Sequence, residues 1–234
     1  MTTNTLLTAP EEALAVSQSR NWLGGGLGWI YDVAMPSGHD MMLEYDGIVD
    51  ELLLHDIYNL ANFTEHGDVW VDAGSHVGMF SIAALMAGAD VAAMIDMDET
   101  MAWCADANAR AFLMQQLVRD YRPRIRPVAF KETIGSHVSL VEAGMQVREV
   151  WRDFGKRSCL KLDIQGAEQL VLALNGPEQL AEAFDRLVME WHFPEDINWL
   201  TSALEKGGWK VDAVKQHEDI LLRTTTHIVW ATTG

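Results

Sequence analysis

The 234-residue chain is predicted to fold as an α/β protein: a Rossmann-like, seven-stranded, mostly parallel sheet with one antiparallel strand and helices on both faces. Three observations predict it. From Val69 onward, strand-length and helix-length segments alternate. The strands are continuously apolar rather than alternating, which marks a sheet covered on both faces. The last two strands have no clear helix between them and so form an antiparallel pair.

The elements follow in order. Residues 9–20 are expected as a short helix, ended by the glycine run GGGLG at 24–28. Segments 29–35 and 41–45, separated by PSGHD, are expected as a hairpin. DELLLHDIYNLANF, from Asp50 to Phe63, repeats Leu52, Leu53, Ile57, Leu60 and Phe63 at helical spacing. VWVDAG at 69–74 is the first core strand, MFSIAALMAG a buried helix, and DVAAMID the second strand. A long helix is expected from about Asp98 to Val118, then RPVAF as the third strand. CLKLD, RLVMEW, WKVDAV and HIVWA supply four more, with helices at GAEQLVLAL and PEDINWLTSALEKGG. The chain thus divides into an N-terminal extension, 1–65, packed on a core domain, 66–234.

Composition narrows the function. With 49% hydrophobic and 22% charged residues the chain is ordinary globular protein. No apolar run reaches the ~20 residues needed to span a membrane, and the start lacks the basic, apolar pattern of a secretory leader. Cys104 and Cys159 stand far apart without metal-ligand spacing, so a reduced, cytoplasmic protein is expected. Seventeen basic against 34 acidic residues, a net charge of −17, argue against nucleic acid as a partner. The basic stretch VRDYRPRIR reads as a solvated helix end and loop.

The informative stretch is VDAGSHVGMFS, where the first core strand breaks into a turn and a helix. Gly74 and Gly78 admit backbone conformations closed to other residues, and the free N–H groups of the helix behind them can receive an anion. Asp96 ends the second strand 24 residues after Asp72, near the spacing of about 20 at which an acceptor for ribose hydroxyls is expected. The dinucleotide fingerprint G-x-G-x-x-G is not matched, and His76 would obstruct a pyrophosphate lying across the turn. A cofactor without a pyrophosphate, with a small amino-acid end over the loop, tolerates it.

These residues carry a resemblance. VDAGSHVGMFS resembles motif I of S-adenosylmethionine-dependent methyltransferases in the form typical of the FkbM family, Asp-x-Gly-Ala-Asn-x-Gly, with Ser75 and His76 replacing the Ala-Asn pair. LKLDIQGAEQLVL (Leu160 to Leu172) is similar to that family's Lys-[Ile/Leu]-Asp-Val-Glu-Gly-Ala-Glu signature. It matches at Lys161, Asp163, Gly166, Ala167 and Glu168, with Gln165 in place of the first glutamate. IDMD (Ile95 to Asp98) fills the slot of the family's Phe-Glu-Pro-x-Pro segment, keeping the acid at Asp96 and carrying Met97 where a proline is usual. The resemblance covers Val69 to the C-terminus and implies the class I methyltransferase fold, S-adenosyl-L-methionine as cofactor, and O-methylation of a small molecule, sugar or glycan. Cofactor contacts are then expected from Asp72, Gly74, Ser75, His76, Gly78, Asp96, Met97 and Asp163.

Beyond cofactor binding, Asp163, Lys161 and His192 are the candidate catalytic residues. Asp163 ends the fourth core strand; its preferred role is holding or orienting the cofactor. Lys161, two residues earlier, faces the same side and needs a partner in an apolar strand, for which Glu190 is suited. Glu168, in the first turn of the next helix, is placed to cap free N–H groups. His192 follows the fifth strand and is the candidate general base. Asp163, Glu190 and His192 together have the residue types for a divalent ion, but the expected site holds no metal. Trp29, Trp103 and Trp191 are candidates to line a pocket. Two other classes compete: an NAD(P)-dependent oxidoreductase, weakened by the missing glycine and the lack of a Tyr-x-x-x-Lys pair, and a non-catalytic binding or assembly protein, to which His76, Met97 and Gln165 lend weight. A nucleic-acid amino-methyltransferase lacks its Pro-Pro-aromatic segment.

Overall fold

A computed structural model describes residues 19–24, 27–32, 51–52, 55–118, 128–130, 139–219 and 224–234. Strands β1 (Ser19–Gly24) and β2 (Leu27–Asp32) pair antiparallel as a separate two-stranded sheet. The hairpin therefore lies earlier than expected, and Gly24 and Gly28, expected to end a helix, lie in its two strands. The expected strand at 41–45 and most of the helix at 9–20 lie outside the described residues.

The core strands are β3 (Asp68–Ala73), β4 (Asp90–Ile95), β5 (Val128–Phe130), β6 (Arg157–Leu162), β7 (Arg186–Trp191), β8 (Trp209–Asp219) and β9 (Thr224–Thr233). They form one sheet in the order β5-β4-β3-β6-β7-β9-β8. All neighbours are parallel except β7–β9 and β8–β9, so β9 alone runs against the rest. The order reverses between β3 and β6, which places a ligand crevice at their carboxyl ends.

Alternate residues of each strand feed two cores. Val69, Val71, Leu160, Leu162, Leu187 and Met189 face α4 (Ser139–Trp151), α5 (Glu168–Ala183) and α6 (Ile197–Lys206). Trp70, Met94, Val188, Ile228 and Trp230 face α2 (Met79–Met86) and α3 (Glu99–Val118) on the other side. Helix α4 was not foreseen, although Leu140, Ala143 and Val147 are buried at helical spacing. Helix α3 begins where Asp98 accepts the N–H groups of Thr100 and Met101, the expected boundary.

The helix expected over Asp50–Phe63 does not run through. Asp56 and Asn59 adopt left-handed backbone conformations, and among the described residues of this segment 51–52 are π-helical and α1 (Leu60–Phe63) is α-helical, with a break between them. Asp56 turns its carboxylate onto the N–H groups of Leu60 and Ala61 at 2.6 and 3.0 Å, a local bond that competes with a continuous helix. The break has a consequence for the site, because it drops Ile57 and Tyr58 into the second core. Ile57, Tyr58 and Leu60 are thus buried members of that core.

Candidate functional site

The carboxyl edge of β3 is a glycine turn. Gly74 and Gly78 take φ of +78° and +85°, and His76 is also left-handed. A Cβ at Gly74 would fall 1.6 Å from the backbone oxygen of Asp163, so β3 and β6 approach here at a separation only glycine allows. The N–H groups of Gly74 and Ser75 both donate to the Ile95 carbonyl, which holds the turn against the tip of β4. Helix α2 starts at Met79 with no side-chain cap, leaving its first N–H groups without intrahelical partners.

Asp96 stands at that tip as expected. Its Oδ2 accepts the His76 N–H at 2.8 Å and its Oδ1 the Asp98 N–H at 2.9 Å. A carboxylate offers about four lone-pair positions, so two remain for a ligand. Met97 is 77% exposed at the rim. Ser75 is buried. Asp72, by contrast, is fully buried behind the turn, with Ser81 Oγ donating to it at 2.6 Å and Lys161 Nζ 3.3 Å away. It supports the turn rather than lining it, and burial above all pushes its carboxyl pKa up.

The edges of β6 and β7 carry a compact charge cluster. Lys161 does not pair with Glu190, as its strand position had suggested. Its ammonium donates to the Gly74 carbonyl at 2.6 Å and lies 3.3 Å from both Asp72 and Asp163. Burial works against its charge, but the two carboxylates outweigh burial and the pKa is raised. Lys161 thus ties β3 to β6 beneath the turn. Glu190 is held instead by the Tyr58 hydroxyl at 2.9 Å and the Thr226 hydroxyl at 2.9 Å. The same phenol oxygen lies 3.0 Å from Asp163 Oδ2.

Tyr58 was not foreseen. It lies 105 residues from Asp163 and 132 from Glu190 in sequence, within a stretch that reads as an amphipathic helix. It is packed edge-on against Phe80, and its carbonyl receives the indole N–H of Trp230 at 2.7 Å. Thr226, in β9, carried no sequence signal either.

His192 lies at the carboxyl edge as expected, but it is not a free base. Its Nδ1 is 3.1 Å from Glu168 Oε1, and its Nε2 is 4.0 Å from Asp163 and from Glu190. Burial alone would lower its pKa; the surrounding carboxylates, Glu168 first, raise it to about 9. The imidazole is therefore positively charged at neutral pH. Glu168 is fully buried and also accepts the N–H groups of Ile164 and Gly166 in the loop ahead of α5, whereas the helix itself has no side-chain cap. Asp163, Glu168 and His192 offer ligand atoms within 4.8 Å of one another, close enough to hold a cation, and the proton on His192 already supplies one positive charge there. Trp191 is fully buried, stacked against Trp199, and lines no crevice. Trp103 is half-buried on α3; Trp29 lies in β2, and its side chain is outside the described residues.

No family model and no curated protein matches the chain. Solved structures do. One is a Streptococcus pneumoniae protein assigned as a tRNA (m1A22) methyltransferase, in complex with S-adenosyl-L-methionine, at 17% identity and TM-score 0.53, covering 77% of this chain and 72% of that one. Another is a protein of the NADB-Rossmann superfamily from Streptococcus agalactiae, at 14% identity and TM-score 0.51, covering 76% and 67%. Magnesium protoporphyrin IX methyltransferase from Synechocystis, with bound S-adenosylmethionine, matches at 19% identity and TM-score 0.48, covering 83% and 82%. The chain shares a Rossmann-like α/β methyltransferase fold with a mixed sheet. None of these structures points to the FkbM family. Among the described residues no helix is long and apolar enough to cross a membrane.

Proposed function

We propose that this protein is an S-adenosylmethionine-dependent methyltransferase acting on a hydroxyl of a small molecule, sugar or glycan. The observation that carries the reading is the glycine turn at the sheet's switch point, with uncapped α2 N–H groups on one side and the Asp96 carboxylate on the other. These are the two donor and acceptor sets that an amino-acid carboxylate and a ribose diol require. When bound, S-adenosylmethionine supplies an electrophilic methyl group on a sulfonium.

The chain's own residues then have distinct tasks. Gly74, Ser75, His76 and Gly78 present backbone to the amino-acid end, and Asp96 accepts from the ribose. Met97 covers the rim. Asp72 and Lys161 stiffen the turn from below. Asp163, beside the turn and less buried than its neighbours, faces the reacting centre. Holding donor and acceptor in line supplies much of the acceleration. A net charge of −17 supports a small or neutral acceptor over nucleic acid, although one fold neighbour is assigned to tRNA.

Calorimetry on the full chain tests this. S-adenosylhomocysteine is expected to bind and NAD to give no heat. The reverse result would replace the reading with a nicotinamide-dependent oxidoreductase.

A further inference from the structure

The Tyr58 hydroxyl has one hydrogen and two carboxylate neighbours, Asp163 Oδ2 at 3.0 Å and Glu190 Oε2 at 2.9 Å. A phenol serves one ionised carboxylate at a time. The second contact is a hydrogen bond only when one carboxyl brings its own proton. The trio is therefore a chain of oxygens at hydrogen-bond distance that can hold one proton more or fewer without moving an atom far.

Its two ends differ. The Asp163 side chain is 17% exposed, and its backbone abuts the glycine turn. Glu190 is 5% exposed, at the inner end, with Thr226 donating to its other oxygen. Among the described residues, the charged or titratable groups facing Glu190 are Asp163 beyond β6, Tyr58 ahead of α1, and His192 beyond β7 at 4.0 Å. Lys161 stands one step away against Asp163, and Glu168 behind His192. His227, opposite Trp191 in the β7–β9 register, belongs to the other face of the strand.

Resting on the methyltransferase reading, we propose that Asp163, Tyr58 and Glu190 form a proton relay, and that the acceptor is accordingly an alcohol or phenol that must lose its proton during transfer. The acceptor O–H bond breaks and its proton goes to Asp163. The freed oxygen pair forms the O–CH3 bond, while the S–CH3 pair leaves with sulfur to give S-adenosylhomocysteine. Asp163 passes the proton to the Tyr58 oxygen as the phenol's own hydrogen moves to Glu190. After product release the proton returns to water by the reverse path. Asp163 is the catalytic residue of the three; Tyr58 and Glu190 act through it. Burial first, and then the Asp163 charge, raise Glu190 to about 7, which lets it both accept and release a proton near neutral pH.

Two measurements test the relay on the full chain. With glutamate carboxyl groups labelled with carbon-13, one signal should titrate near neutral pH and vanish in Glu190→Gln. Its midpoint should rise in Tyr58→Phe, which removes a bond that favours the ionised form, and fall in Asp163→Asn, which removes a repelling charge. Methyl transfer from labelled S-adenosylmethionine to phenol and to a sugar panel is then followed against pH. Glu190→Gln and Tyr58→Phe should lower kcat about a hundredfold, the low end for losing acid–base assistance, and erase the acid limb while S-adenosylhomocysteine affinity stays at the wild-type value. No glutamate titrating between about pH 6 and pH 8 would overturn the relay, as would variants that keep the wild-type rate and profile. A wild type that binds S-adenosylhomocysteine but methylates neither phenol nor sugars would overturn the hydroxyl acceptor. A wild type that does not bind S-adenosylhomocysteine would instead overturn the methyltransferase reading, whatever the carboxyl titration reports.

Discussion

The strands β3, β6 and β7 carry a charge cluster at each end, and the two are built differently. At the amino edge three arginines meet three carboxylates: Arg157 and Arg186 bind Glu65 and the fully buried Asp68, while Arg148 binds Asp185 at 2.6 Å. At the carboxyl edge four carboxylates, Asp72, Asp163, Glu168 and Glu190, face, among the described residues, only Lys161 and His192. The balanced end is finished as it stands. The acidic excess of the other end is relieved only by taking up protons or a cation, and that is the end at which the chain turns on glycine. Matched charge makes a scaffold; mismatched charge, held in place by the same strands, makes a site with something left to bind.

The two ends can be perturbed separately. The largest effect is expected from Asp68→Ala, which removes the buried carboxylate of the amino edge and leaves Arg157 and Arg186 to the exposed Glu65. It should cost ~3–5 kcal/mol of stability, the range for breaking a buried ion pair, with S-adenosylhomocysteine affinity unchanged in the folded fraction. Urea denaturation and calorimetry together would show it; a loss of affinity with full stability would contradict the division of labour.

Gly74→Ala should damage both properties. Its Cβ must displace the Asp163 backbone, and alanine is strained at positive φ. A loss of about 2–4 kcal/mol in stability is expected, strain and overpacking together, along with cofactor binding. An alanine variant that folds and binds like the wild type would show that the turn can open without cost.

Asp96→Ala isolates the ligand side. It should weaken S-adenosylhomocysteine by ~1.5–3 kcal/mol, the range for hydrogen bonds to a charged group, and leave the thermal midpoint nearly unmoved. Unaltered affinity would move the ribose contact to Asp98.

The smallest effect sharpens the charge argument through pH. His192 is held protonated up to about pH 9 in the folded chain, whereas an unfolded histidine gives up its proton near 6.5. Its stabilising contribution is thus complete below 6.5 and is lost as pH rises through 9. Thermal melts across that window should show stability falling in the wild type and a shallower slope in His192→Gln. Equal slopes would mean the imidazole carries no stabilising charge.

The amino-acid sequence by itself determined what short-range patterning can determine. The alternation of apolar strands and helices gave the layered α/β class. The Val69–Ser81 stretch placed the turn, its positive-φ glycines and the helix behind it, because those features lie within a dozen residues of one another. Asp96 and His192 were placed at the right edge because strand ends are legible from apolar runs. What the sequence left open was decided by neighbours distant in the chain. The hairpin formed over Ser19–Asp32, and the Asp50–Phe63 segment broke because Asp56 could bond locally while Ile57 and Tyr58 found a core to enter. Lys161 took Asp72 and Asp163 rather than Glu190 because the pairing of β3 with β6 sets Asp72 opposite it, while Asp163 lies two residues on, just past the end of its own strand, both at 3.3 Å. The protonation of His192 and Glu190 depends on burial and on charges from three strands and one loop, sums that no motif records. Periodicity fixes which residues reach an edge; only the folded chain fixes which charges meet there, and so which of them hold a proton.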